Sequence, residues 1–374
     1  MAVYKIFAEK DTTLYSDYNS LNSGMDPILE LSKNASLLYA TQSSADRILI
    51  KFSDADINYT LNNYISNRYF NASLKLYLAN ATGLPTGYTI EAKPIYGPWD
   101  MGTGRYADRP ITTDGASWVY RGPSSTYFEN ISFTGSWIVS AFPAGVTASF
   151  TSINPGGGNW YTASASTQSF NIYANKDINI DVSNIIYMYV SQSIPNDGIL
   201  LKTADNLEFN PAYNYTLNYF SRDTNTIYAP VLEFKWDDSS FNPTGSAISP
   251  VTSQDIRVSL SNNKGEFNEN EIYRFRLNVR DQFPVRFFNT SSLYTNSLYL
   301  PSSSYYAIKD VKSDTTVVDF DYNYTKISAD NKGNYFDIYM NGLEPERYYK
   351  LLIKTVISGS TLVFDNEYFF KVLE

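Results

Sequence analysis

Apolar residues in this chain alternate singly with polar ones instead of recurring every three or four positions, and a period of two predicts strands. The clearest run is Tyr273-Arg274-Phe275-Arg276-Leu277-Asn278-Val279-Arg280, which sets aliphatic and aromatic side chains on one face and polar ones on the other. Val318, Phe320, Tyr322 and Tyr324 alternate with Asp319, Asp321 and Asn323 in the same way, so a strand is expected there too. Tyr349, Leu351 and Ile353 alternate with Lys350 and Lys354, with Leu352 interrupting. Such runs are short and separated by Gly, Pro, Asn, Asp and Ser, the spacing of a sandwich or barrel and not of strand–helix–strand units. The expected fold is all-β: an N-terminal jelly-roll-like β-sandwich followed by a smaller C-terminal β-sandwich.

The rhythm breaks after Trp236, where Asp237-Asp238-Ser239-Ser240-Phe241-Asn242-Pro243-Thr244-Gly245-Ser246 reads as a polar, turn-rich connector. The expected division is therefore a domain over 1–237, a linker over 238–250 and a second domain over 251–374. Within the first domain, the stretch from Gly97 to Gly158 is rich in Gly and Pro and carries Trp99, Trp118 and Trp137, with Trp160 just beyond. Long loops in a domain are functional or lie across an open end of the scaffold, so a loop-rich cap is expected here.

Composition sharpens this picture. Of 374 residues, 33 are Tyr and 22 Phe, so aromatic rings carry much of the apolar load and favour pleated, half-buried surfaces. There is no Cys and no His, which removes disulfides, thiolate nucleophiles and the commonest general base and transition-metal ligand. The net charge of −9 comes without any basic stripe, so no nucleic-acid partner is expected. Met1-Ala2-Val3-Tyr4-Lys5 lacks an apolar leader segment, and no later run is long enough for a membrane helix; assembly in a cytoplasm without membrane insertion is the expectation.

Several segments, taken in order, carry a family resemblance. They begin with Ala8-Glu9-Lys10-Asp11-Thr12-Thr13-Leu14-Tyr15, Asn22-Ser23-Gly24 and Leu29-Glu30-Leu31, then Asp46-Arg47-Ile48-Leu49-Ile50-Lys51-Phe52 and Ala72-Ser73-Leu74-Lys75-Leu76-Tyr77-Leu78. Next come Trp99-Asp100-Met101-Gly102-Thr103-Gly104, Gly115-Ala116-Ser117-Trp118, Gly157-Gly158-Asn159-Trp160 and Ile178-Asn179-Ile180-Asp181-Val182. Pro195 to Lys202, Phe220-Ser221-Arg222-Asp223-Thr224 and Pro230 to Trp236 close the series. Together they resemble the DNRLRE-type β-sandwich, a jelly-roll related to carbohydrate-binding modules, although the family's signature motif is absent as such. The flavour of Asp11 to Tyr15 and of Thr226-Ile227-Tyr228-Ala229-Pro230 is similar to virion proteins of tailed bacteriophages. The resemblance implies a structural component of the particle, in the neck, collar, tail or baseplate, whose partners are other virion proteins and copies of itself.

Candidate chemistry is sparse. Trp99, Trp118, Trp137 and Trp160 are the binding candidates: they can form a platform that stacks on a host surface sugar, or they can pin the loops onto the sandwich. The first alternative makes the chain a glycan-binding receptor-recognition fibre or adhesion module. Asp237-Asp238 and Asp319/Asp321 are the acidic pairs that acid–base or calcium chemistry would need, but one lies in the connector and the other on a polar strand face. Gly156-Gly157-Gly158 lacks the Lys-Ser/Thr of a phosphate loop and reads as a turn. Asn58-Tyr59-Thr60 and Asn71-Ala72-Ser73 would accept glycans only in a eukaryotic secretory setting. No catalytic residue, metal ligand or cofactor is expected, and the chain reads as a non-enzyme.

Overall fold

The computed structural model describes residues 2–35, 43–66, 68–123, 135–138, 142–148, 155–208, 210, 213–244, 248–283 and 297–374. Parts of the loop stretch (124–134, 139–141 and 149–154) and of the connector (245–247) lie outside the described residues. The chain is all-β, with short helices at Asp54–Thr60, Ser183–Val190 and Asp205–Glu208. It divides into two compact units: a larger one of residues 6–64 and 71–233, and a smaller one of residues 1–5, 65–70 and 234–374.

The larger unit is built on an eight-stranded sheet among the described residues. Its order is Ser166–Asn171, Gly87–Pro94, Ile199–Thr203, Ser43–Lys51, Ile28–Ala35, Tyr215–Phe220 and Leu78–Thr82, with Lys10–Tyr15 also pairing with Ser43–Lys51. Its strands pair antiparallel, for example Asp11 opposite Ile50 and Leu201 opposite Ile48. Ile48, Leu49 and Ile50 are all buried, as are Ile199, Leu200 and Leu201, so this centre of the sheet is covered on both faces. A second sheet contains Phe70–Leu76 paired antiparallel with Ile178–Asp181.

The smaller unit is a sandwich of two sheets. One runs Ile248–Pro250, Ser297–Tyr299, Ile272–Asp281, Gly333–Tyr339 and Ser328–Asp330, with Ile256–Leu260 added on Ile272–Asp281. The other runs Glu266–Asn268, Ser360–Leu373, Arg347–Ile357, Ser304–Asp310 and Thr316–Val318. Period-two alternation gives each sheet one apolar face. Phe275, Leu277, Val279, Phe336 and Ile338 from the first meet Tyr306, Ile308, Leu351, Ile353, Phe370 and Val372 from the second in one buried core.

The strand expected from Val318 to Tyr324 ends instead at Val318. Asp321 is the reason: its Oδ1 accepts the amides of Asn323 at 2.7 Å and Tyr324 at 3.1 Å. That local turn competes with a ladder and wins, as short acidic side chains do where no strand partner is adjacent.

Candidate functional site

The four tryptophans singled out by the sequence come together, but in the interior. Trp99, Trp118, Trp137 and Trp160 share one cluster with Leu14, Ala45, Leu49, Ile95, Ala116 and Leu200, and their exposures run from 0% to 3%. A platform for a sugar needs an open ring face, and none of these rings offers one. The Gly/Pro-rich stretch brings them in: Trp137 Nε1 donates to the Ser117 carbonyl at 3.0 Å, and Trp99 Nε1 to the Asp197 carbonyl at 2.8 Å.

Cations occupy the ring faces. The Arg47 guanidinium lies 4.9 Å from the Trp118 ring centre and 5.4 Å from that of Trp160, and Arg121 lies 4.6 Å from Trp137. Lys10 sits 4.3 Å from Trp99 and donates to its carbonyl. Burial pushes the Arg121 guanidinium down to about 10. Arg47 itself is fully buried and forked onto Glu208, with Nε to Oε1 at 2.7 Å and Nη2 to Oε2 at 2.9 Å, while Nη1 donates to the Gly157 carbonyl at 2.5 Å. Lys202, also fully buried, reaches Glu208 Oε2 at 3.1 Å and Asp205 Oδ1 at 2.6 Å. This bidentate, desolvated network positions the core and is closed to ligand.

The acidic pairs do not converge. Asp237 Oδ1 accepts the Ser239 amide and hydroxyl, Asp319 Oδ1 accepts the Phe320 amide, and Asp321 closes the turn described above. Gly156, Gly157 and Gly158 all have positive φ and form a backbone turn against Trp118. Asn58 lies in the Asp54–Thr60 helix and Asn71 in the Phe70–Leu76 strand. Among the described residues no group of three or more His, Cys, Asp or Glu is placed to hold a metal, and no helix is long and apolar enough to cross a membrane.

The open chemistry lies on the smaller unit, outside the residues singled out as binding candidates. On the outward face of the Ser360–Leu373 and Arg347–Ile357 pair, Tyr348 stands opposite Lys371, Phe369 opposite Lys350 and Val363 opposite Lys354. Tyr348, Val363 and Phe369 remain 56%, 54% and 41% exposed, so this face mixes solvated apolar groups with cations. Lys354 is held over Phe320 at 4.7 Å and Tyr305 at 5.2 Å. Elsewhere on the unit a groove of about 740 Å³ is lined by Arg257, Arg280, Asp365, Glu367, Asn366 and Tyr368 among others. Arg257 and Arg280 are exposed and directly opposite in register, and among the described residues neither has an ion-pair partner. Like charges so placed repel each other, and the Asp365 and Glu367 carboxylates share the same groove with them.

No protein-family model and no curated protein matches the chain. One solved structure that resembles it is the beta-glucuronidase of Parabacteroides merdae crystallised with glycerol in its active site, at 9% identity and a TM-score of 0.17. The match covers 99% of this chain and 36% of that enzyme, so the chain spans little more than a third of its length. A likeness that slight carries no argument. Fold and geometry therefore define the chain as an all-β protein of two units, with a closed aromatic–cationic core in one and open sheet-face chemistry in the other.

Proposed function

We propose that this chain is a non-catalytic structural component of a tailed-phage virion, working through contacts to neighbouring virion proteins and to copies of itself. The observation that carries this reading is the outward face of Tyr348, Val363 and Phe369 interleaved with Lys350, Lys354 and Lys371. Exposed aromatic rings on a sheet face are enriched in surfaces that become dry on association, while Lys350 and Lys371 beside them are already paired with Asp365 and Glu346. The ordered resemblance of residues 8–236 to the DNRLRE-type sandwich and to phage virion proteins supports the same conclusion. Mass spectrometry of purified particles should detect the chain at structural copy number, and particles lacking it would end the proposal.

A second reading, a glycan-binding adhesion module, is favoured by the Arg257/Arg280 groove, whose paired guanidinium groups suit a sugar carrying a carboxylate. Binding to uronate-containing glycans that disappears in Arg257→Ala and Arg280→Ala supports it; silence across an acidic glycan array counts against it.

A further inference from the structure

In the smaller unit, Ile256–Leu260 pairs with one strand among the described residues, Ile272–Asp281, and its other edge looks onto the Ser360–Leu373 strand of the opposite sheet. The Val258 carbonyl on that edge is capped: Asn366 Nδ2 donates to it at 2.7 Å and the Tyr368 hydroxyl at 3.4 Å. Both donors belong to a bulge. Leu351 stands opposite Tyr368 and Ile353 opposite Phe364, so Asp365, Asn366 and Glu367 are set against Leu352 alone, and Glu367 takes a φ of +56°. Such a bulge turns side chains out of the ladder at the cost of a left-handed residue. Here it delivers two acids to the groove of about 740 Å³ whose other wall holds Arg257 and Arg280. Asp365 is already paired with Lys350 at 2.8 Å. Glu367, Arg257 and Arg280 are exposed and make no ion pair among the described residues.

We propose that this groove is an interface between two copies of the chain, related by a two-fold axis running along it, in which Arg257 and Arg280 of each copy meet Glu367 of the other. A groove with one positive and one negative wall is self-complementary under that operation, because each wall then lies over its opposite. A purely anionic occupant answers only the arginine wall; a second copy answers both. The Asn366 cap already occupies the Val258 carbonyl, so the copies meet through side chains and do not run one sheet into the next. This pairing rests neither on the virion reading nor on the Tyr348 and Phe369 face, and each can fail without the others.

The test is sedimentation velocity on the full chain over a concentration series, at about 50 mM and about 500 mM salt, with association expected to weaken as salt screens the pairs. Arg257→Glu with Arg280→Glu makes both walls acidic, and Glu367→Lys leaves cations on both. Each change should weaken association at least about tenfold, since like charges then face each other across the two-fold. Mixed in equal amounts, the two variants should pair with each other to within about threefold of the unaltered affinity, a recovery that misfolded chains cannot give. A chain that stays monomeric at about 100 μM overturns the proposal, as does association indifferent to both variants or a mixture that fails to recover. Association lost in Tyr348→Ser with Phe369→Ser but kept in both charge variants belongs to the other face, which refutes this pairing and leaves the assembly reading standing. A uronate oligosaccharide that binds at Arg257 and Arg280 while the chain remains monomeric refutes it as well.

Discussion

Glu208→Gln tests how much of the larger unit depends on its buried charges. Glu208 is 1% exposed and supplies both carboxylate oxygens to Arg47 while Oε2 also takes Lys202. The neutral amide keeps shape and volume and one accepting oxygen, but it removes the counter-charge from the Arg47 guanidinium and one of the two carboxylates that Lys202 reaches. Removing one partner of a buried pair costs about 3–5 kcal/mol, since the other charge stays desolvated. For a unit of this size that lowers Tm by roughly 10 °C. Urea unfolding followed by tryptophan emission is the assay, because four of the five tryptophans lie in this core or its rim. Arg47→Met and the double variant complete a cycle, whose coupling should reach about 1.5–3 kcal/mol. A loss below about 1 kcal/mol for Glu208→Gln would refute the reasoning and mean that water reaches the network.

Three further outcomes follow from the same geometry. Gly157→Ala should cost about 3 kcal/mol by denaturant titration: φ is +75°, and the added methyl would meet the Trp118 ring at 2.6 Å and Arg47 Nη1 at 2.8 Å. Asp310→Asn should cost ~2 kcal/mol, read by calorimetry of the smaller unit's transition. Burial works against the Asp310 carboxylate, but forked bonds from Arg347 and two from Ser313 outweigh it and hold the group down at about 2, so this contribution is present at neutral pH and fades only as pH falls towards 2. Asp46 behaves oppositely: burial, with Glu30 adding to it, raises its carboxyl to about 8, so the folded state holds a proton that the unfolded state has released. Stability should fall with rising pH between about 4 and 8, by at most about 1.4 kcal/mol per pH unit, and urea midpoints of Asp46→Asn should lose that dependence.

The strands were legible where one face of a strand meets a core, as from Tyr273 to Arg280, whose Phe275, Leu277 and Val279 are all buried. Alternation misled from Val318 to Tyr324 because the pattern cannot tell a strand's polar face from acidic side chains that capture their own backbone. The tryptophans left open whether the Gly/Pro-rich stretch presents a sugar platform or docks on the sandwich, and their burial answers that it docks. Their partners come from far along the chain: Trp99 and the Asp197 carbonyl it reaches are 98 positions apart, and Lys10, over the Trp99 ring, stands 89 positions before it. Pairings at that separation are set by sheet topology, which single-sequence periodicity does not encode. The exposed face at Tyr348 and Phe369 escaped for a related reason, since an alternating strand reads the same whether its second face meets solvent or a partner.

The distribution of charge and aromatics separates two kinds of substitution. In the larger unit, cations face inward onto indole rings, so changing them alters stability. In the smaller unit, Lys350, Lys354 and Lys371 stand outward beside Tyr348, Val363 and Phe369, where the folded chain gains little from the apolar groups. Tyr348→Ser with Phe369→Ser should therefore leave the melting temperature of the isolated chain within about 0.5 kcal/mol equivalent, the ordinary range for surface changes. Self-association measured by sedimentation, or incorporation into particles, should drop at least tenfold, since exposed aromatics at an interface core account for 1.4 kcal/mol or more, roughly a decade in affinity. If stability fell and association did not, the rings would be serving the fold and the assembly reading of this face would fail.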